Sequence, residues 1–173
     1  QERFQDLANT MEISRTINNV NYTDIYDRSL LMYASSKGYT RACKILLRRG
    51  ADPNLQAIDG ATAGTFASGS GNSKIVKLLL EKGLDPNLQA LDGSNALMMA
   101  SQNGHTEIVG LLLDYDANPN LQASDGYTAL MLASQNGYTD IISQLIEKGA
   151  KVDIRDFNMG TTALIQASLF GYT

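Results

Sequence analysis

Self-similarity at a period of 33 residues constrains this chain more than any other feature. Asp-Gly stands at Asp59-Gly60, Asp92-Gly93 and Asp125-Gly126, and Pro-Asn-Leu-Gln begins at Pro53, Pro86 and Pro119, in both cases 33 residues apart. Two apolar blocks recur in the same register. Ala96-Leu97-Met98-Met99-Ala100 and the run from Ile108 to Leu113 are answered by Ala129-Leu130-Met131-Leu132-Ala133 and the run from Ile141 to Ile146. A unit this short cannot bury its apolar face alone, so successive units must stack into one continuous core. The chain has 173 residues, 43% hydrophobic and 18% charged, which is enough apolar material to fill such a core and excludes wholesale disorder.

Each unit reads as two short helices. Ser29, Thr62, Asn95, Thr128 and Thr162 precede the first apolar block, where a side-chain oxygen can accept a bond from the free amides of a helix start. The helix then stops at Gly38, Gly71, Gly104, Gly137 or Gly171. A second helix is expected to open at Thr40, Ser73, Thr106 or Thr139, again with a capping side chain. Its apolar positions, such as Ile75, Val76, Leu78, Leu79 and Leu80, cover most of the circumference, as in a helix packed on both sides. Gly50, Gly83 and Gly149 end it, and the prolines that follow forbid continuation after the first two. The pattern predicts helices over 63–70 and 73–82, 96–102 and 106–115, and 129–135 and 139–148.

Gly-His-Thr-Glu-Ile-Val at 104–109 and Gly-Ala-Asp-Pro-Asn at 50–54 resemble the ankyrin repeat family. The resemblance covers nearly the whole chain. It implies an all-α solenoid of paired antiparallel helices joined by β-hairpin or loop fingers. The expected units are a degenerate capping repeat over 1–24, repeats over 25–57, 58–90, 91–123 and 124–157, and a truncated repeat over 158–173. Phe4, Leu7, Ala8, Met11, Ile13 and Ile17 suggest the cap, and Asn21 falls in register with Asn54. One departure is consistent. The family's Thr-Pro-Leu-His becomes Thr-Ala-Leu-Met at 128–131, so Met32, Met98 and Met131 are expected to replace the polar ties of that histidine with soft packing.

Three positions break the pattern. Gly64 stands where other units carry Leu31, Leu97, Leu130 and Leu164; it reads as a hinge, a pocket, or a defect partly filled by Phe66, and Gly64→Leu is expected to stabilise if the space is open. Asp116 replaces the glycine that ends the second helix, which predicts a strained turn. One extra residue near Met159 predicts a differently shaped last finger. Gln1-Glu2-Arg3 offers neither an initiator methionine nor an apolar leader, and the chain stops at Thr173 where a second helix is due. A piece of a longer intracellular, cytoplasmic protein is therefore expected, and stability should rise on extension past Thr173.

Chemistry is sparse. The net charge of −4 argues against nucleic acid, which needs a basic face, and Lys37, Arg41, Lys44, Arg48 and Arg49 read as a solvated helix surface. No apolar run is long enough to cross a membrane, so no membrane insertion is expected. Cys43, the only cysteine, takes the place of Val76 and Val109 and reads as a small core hydrophobe. His105, the only histidine, has no adjacent nucleophile, and Gly69-Ser70-Gly71 lacks the strand and lysine of a phosphate loop. Asp59, Asp92 and Asp125 read as turn-forming rather than cation-binding. No catalytic residue, metal or cofactor is expected.

What the family resemblance offers instead is a surface, made of finger tips and the exposed side of each first helix. Carried over, the tips are Ile25, Ile58, Leu91, Ser124 and Phe157, with Gln56, Gln89 and Gln122 beside them. Arg28, Ala61, Ser94 and Tyr127 come just before the first helix, and Ser36, Lys37, Ser70, Gln102, Asn103, Gln135 and Asn136 at its end. The expected partner-binding set is Ile58, Leu91, Ser94, Gln102, Asn103, Tyr127, Gln135, Asn136 and Phe157. The expected function is a monomeric, non-catalytic scaffold for a partner protein or peptide. An architectural spacer or an autoregulatory segment of a larger signalling or catalytic protein is the alternative.

Overall fold

The computed structural model describes residues 19–172. The residues read as an N-terminal cap, from Phe4 to Ile17, lie outside them. The described elements are α1 (Leu30–Ser36), α2 (Thr40–Arg48), α3 (Ala63–Gly69), α4 (Ser73–Glu81), α5 (Ala96–Gln102), α6 (Thr106–Asp114), α7 (Ala129–Gln135), α8 (Thr139–Glu147) and α9 (Ala163–Leu169). Four of the six helices predicted by range end one residue early, because Ser70, Lys82, Tyr115 and Lys148 are caps rather than helical residues. Among the described residues, pairing of the β type is limited to an isolated antiparallel bridge between Thr23 and Ser29, so the fingers are loops.

The helices form two layers. α1, α3, α5, α7 and α9 pack in succession, and α2, α4, α6 and α8 form a second, looser row behind them. Ala34, Ala67, Ala100 and Ala133 are wholly buried in the first row, and their small side chains let those helices approach closely. Leu31, Leu97 and Leu130, with Ile75, Ile108 and Ile141, fill the space between the rows. Met32, Met98 and Met131 are buried as expected of packing residues. The first still makes a polar tie, since the Ser29 amide donates to Met32 Sδ at 3.4 Å.

Caps follow the sequence at the first helix and depart from it at the second. Ser29, Thr62, Asn95 and Thr128 each accept the amide three residues on, at 2.9–3.3 Å. Thr162 makes no such bond. At the second helix, Thr40, Ser73, Thr106 and Thr139 are already helical. The caps are Tyr39, Asn72, His105 and Tyr138, and none makes a side-chain capping bond. Asn72, His105, Tyr138 and Tyr172 have another task. Each covers the glycine that ends the first helix one repeat earlier, so that a Cβ at Gly38, Gly71 or Gly104 would come within 2.8 Å of the covering side chain. These glycines also have φ between +73° and +75°, so both space and conformation exclude a larger residue.

The missing leucine at position 64 is supplied from elsewhere. A Cβ built on Gly64 would lie 2.5 Å from Leu84 Cδ2, and Leu84 is buried. Position 84 corresponds to Ala51, Ala117 and Ala150, all buried. Repeat two therefore inverts the pair: Leu31/Ala51, Leu97/Ala117 and Leu130/Ala150 become Gly64/Leu84. Leu84, rather than Phe66, owns this volume; Phe66 is only half-buried and faces the surface groove described below.

Asp116 adopts φ +62°, as its position required. Gly50, Gly83 and Gly149, its counterparts, have no atom within 4 Å of a built Cβ, so the cost at Asp116 is one of backbone conformation rather than crowding. The fifth finger does differ. Buried Asp156 takes the place of Ala57, Ala90 and Ala123, and its carboxylate accepts the amides of Asn158 (2.9 Å), Met159 (2.8 Å) and Thr161 (2.8 Å), as well as the Thr161 hydroxyl. These donors, the Thr161 hydroxyl first, pull its pKa down to about 2.

Candidate interaction surface

The fingers are built by repetition of a few bonds. In each of the second to fourth, the residue before the tip bonds across the turn: the amides of Ala57, Ala90 and Ala123 donate to the carbonyls of Ala61, Ser94 and Tyr127 at 2.8–2.9 Å. Asp59, Asp92 and Asp125 each accept the amide two residues on, at 2.9–3.0 Å, so these carboxylates organise their own turns. The Ser94 hydroxyl adds a bond at 2.6 Å and holds the Asp92 carboxyl below its ordinary value.

Neighbouring fingers are tied tip to tip. The amides of Ile58, Leu91, Ser124 and Phe157 donate to the carbonyls of Tyr26, Asp59, Asp92 and Asp125 in the preceding finger, at 2.8–2.9 Å. Two side-chain ladders reinforce them. Gln56 Nε2 donates to Gly60 and Gln89 carbonyls, Gln89 to Gly93 and Gln122, and Gln122 to Gly126 and Arg155. Farther back, Asn54, Asn87 and Asn120 each accept the amide 31 residues on at 2.7 Å and donate to the carbonyl 29 residues on. Asn21 accepts the Asp52 amide at 2.9 Å, which extends this ladder to the start of the described chain. The three glutamines thus serve the stack, not a free edge of the groove as the sequence suggested.

With the backbone tied, the tip side chains point away from the core. Ile25 is 86% exposed, Ile58 62%, Leu91 79% and Phe157 65%, so these side chains are not absorbed by packing between fingers. Gln102 and Asn103 are exposed at the end of α5, and Gln135 and Asn136 are half-buried at the end of α7. Asn103 and Asn136 each donate to the carbonyl four residues back at 2.8 Å. Ser94 is half-buried and engaged with Asp92.

Tyr127 differs from the rest of the predicted set. It is half-buried against the core, and its hydroxyl accepts a 2.7 Å bond from Gln166 Nε2, which also donates to Thr161 Oγ1 at 2.7 Å. Tyr127 therefore belongs first to the polar network that joins the fourth and fifth fingers through Asp156. The hydroxyl partner lies 39 residues away, beyond the reach of a local sequence pattern.

Among the described residues, depressions lie on the face between fingers and first helices. One, of about 580 Å³, lies between the second and third repeats, floored by Thr65, Phe66 and Met99 and walled by Leu91 and Asn103. Another, of about 360 Å³, is lined by Tyr22, Tyr26, Tyr33 and Phe66, with Arg28 5.3 Å from the Tyr26 ring centroid and 5.9 Å from that of Phe66. The sequence reading missed the first depression, although its signal was present. Ala61, Gly69 and Ser70 are smaller than the residues at their positions in most other repeats.

The reactive residue types are placed structurally. Cys43 is fully buried, its thiol raised by burial and 3.7 Å from Ser35 Oγ. His105 lies over Gly71 with Nε2 3.4 Å from the Gly69 carbonyl. Among the described residues no three His, Cys, Asp or Glu gather as metal ligands, and no helix is long and apolar enough to cross a membrane. Lys37, Arg41, Lys44, Arg48 and Arg49 are all exposed.

Two-helix units in a 33-residue register, joined by hydrogen-bonded fingers, define a helical repeat solenoid. The family model for ankyrin repeats (3 copies) matches residues 31–123, 65–156 and 97–173, and the chain belongs to the ankyrin repeat family. No curated protein matches it in a direct comparison. Ankyrin repeats generally mediate protein–protein interaction and are typically non-catalytic.

Proposed function

We propose that this chain is a non-catalytic scaffold that binds a partner protein or an extended peptide along the finger tips and first helices. The supporting observation is the row of exposed apolar tips. Ile25, Ile58, Leu91 and Phe157 expose more than half of their surface at equivalent positions, while the amides of Ile58, Leu91 and Phe157 are tied to the preceding finger. Apolar groups held in water at regular intervals on a rigid edge gain by being covered, and each buried tip contributes about 1.5–3 kcal/mol. Gln102, Asn103, Gln135 and Asn136 would supply the polar border, with Ser94 and the ring of Tyr127 between.

The test is binding by variants of equal stability. Ile58→Ala with Leu91→Ala is expected to weaken a partner isolated with the wild-type chain by at least about 100-fold, with little change in melting temperature. Lys74→Ala with Lys77→Ala, exposed on α4, is the control and should leave affinity nearly intact. The reverse pattern, in which the α4 pair abolishes binding and the tip pair does not touch it, would overturn the assignment.

A further inference from the structure

The depression between the second and third repeats has a composition of its own. Three small residues open it: Ala61 where the neighbouring repeats carry Arg28 and Ser94, Gly69 where others carry Gln102 and Gln135, and Ser70 where others carry Lys37 and Asn103. Its floor is the ring of Phe66 and the thioether of Met99, both half-buried. Among the described residues, the only charged ones lining it are Asp59 and Asp92, one on each flanking finger. Their described bonds fall on Oδ1, from the Ala61 amide and from Ser94, so each carboxylate is fixed in place and keeps Oδ2 as an acceptor. A flat apolar floor below two fixed negative charges suits a planar, weakly hydrated cation better than an ammonium or an alkyl group. The Phe66 ring is shared with the adjacent depression, where the Arg28 guanidinium stands 5.9 Å from its centroid.

We propose that the notch between the second and third fingers receives an arginine side chain of an extended partner segment, its guanidinium resting on Phe66 and Met99 and bonded to Asp59 and Asp92. This rests on the finger-tip reading of the partner surface and specifies what one part of that surface recognises. Leu91 forms one wall of the notch, so a partner strand running over the tips would deliver its side chains directly into it.

The probe is N-acetyl-arginine amide, titrated into the isotopically labelled chain while backbone and Met methyl shifts are followed. Saturable shifts are expected at Gly69, Ser70, Asn103 and the Met99 methyl, with a Kd of about 1–10 mM as befits a single side chain. N-acetyl-lysine amide is expected to bind at least about threefold more weakly, and N-acetyl-leucine amide more weakly still. Gly69→Gln installs the side chain other repeats carry. A Cβ there meets only the flexible Met99 side chain, at 3.2 Å from its methyl, so the variant should fold and lose the shifts. Asp59→Asn with Asp92→Asn should remove the preference for arginine over leucine. The proposal is overturned if the leucine amide binds as well as the arginine amide. It is equally overturned if shifts spread evenly to the Asp125 finger, or if none saturates by about 50 mM. Such a failure, with the tip variants still losing the partner, would remove the arginine notch and leave the broader surface standing.

Discussion

Replacing Gly64 by Leu places a Cβ 2.5 Å from Leu84 Cδ2 and three further carbons beyond it, in a volume Leu84 already fills. Overpacking of this kind costs about 1–3 kcal/mol, and exchanging Gly for Leu within a helix returns about 1 kcal/mol. Gly64→Leu alone should therefore gain nothing and lose up to about 2 kcal/mol, contrary to what the sequence suggests. Leu84→Ala alone empties a buried site with no neighbour to fill it and should lose about 2–4 kcal/mol. Together they recreate the Leu/Ala pair of the other repeats, and the double variant should lie within about 1 kcal/mol of wild type, or above it. Urea titration of all four proteins gives the cycle directly, with an expected coupling of at least about 1 kcal/mol. If the double variant is destabilised by the sum of the single losses, the two residues do not share one volume and the inverted-pair explanation fails.

Asp116→Gly should stabilise by about 0.5–1 kcal/mol in the same titration, since glycine adopts φ +62° without the cost an L side chain incurs. Asp156 is held at about 2, below its ordinary value of 3.8, so it contributes stability above about pH 4 that is lost as pH falls through 2; Asp156→Asn should melt lower at neutral pH and flatten the pH profile in that window. Gln89→Ala removes bonds to both Gly93 and Gln122 and should cost about 1–2 kcal/mol, readable as faster amide exchange at Ala90, Leu91 and Gly93. Tyr127→Phe should leave partner affinity within about twofold but lower the melting temperature, because one of the two N–H donors of buried Gln166 loses its partner while the other keeps Thr161.

Repetition made the fold legible. Each 33-residue unit carries its own start and stop signals, so an error in one unit could be checked against the next, and even the unusual Asp116 and the enlarged fifth finger could be located by alignment within the chain. What escaped were side-chain relations that cross units or cross the turn. Leu84 lies twenty residues from Gly64 and meets it only when α3 and α4 are folded together, although its mismatch with Ala51, Ala117 and Ala150 was visible. The second-helix residues read as caps are already helical, and the true caps Asn72, His105 and Tyr138 lie over the previous repeat's glycine, a relation between units. The exposed tips were readable as positions, yet which neighbours are free for a partner depends on bonds such as Gln56 to Gln89, which no periodicity announces.

Those bonds explain how one edge of the molecule can be both rigid and variable. The glutamine is identical at 56, 89 and 122, whereas the tip two residues on is Ile58, Leu91 or Ser124. The ladder uses the glutamine side chain and the tip's backbone amide, and it uses nothing of the tip's side chain. A change at a tip therefore alters the surface without loosening the stack. The fifth finger supports the same division. Its inserted residue moves the turn glycine to Gly160, one position farther away, and Arg155 stands in place of glutamine. The longer side chain spans the added residue, with Nη1 donating to the Gly160 carbonyl at 3.0 Å as Gln122 does to Gly126 at 2.8 Å. The turn is thereby closed despite the insertion, and Phe157 remains exposed at its tip with its amide tied to Asp125. Stability in this edge is carried by what repeats, which leaves the exposed surface free to differ from finger to finger.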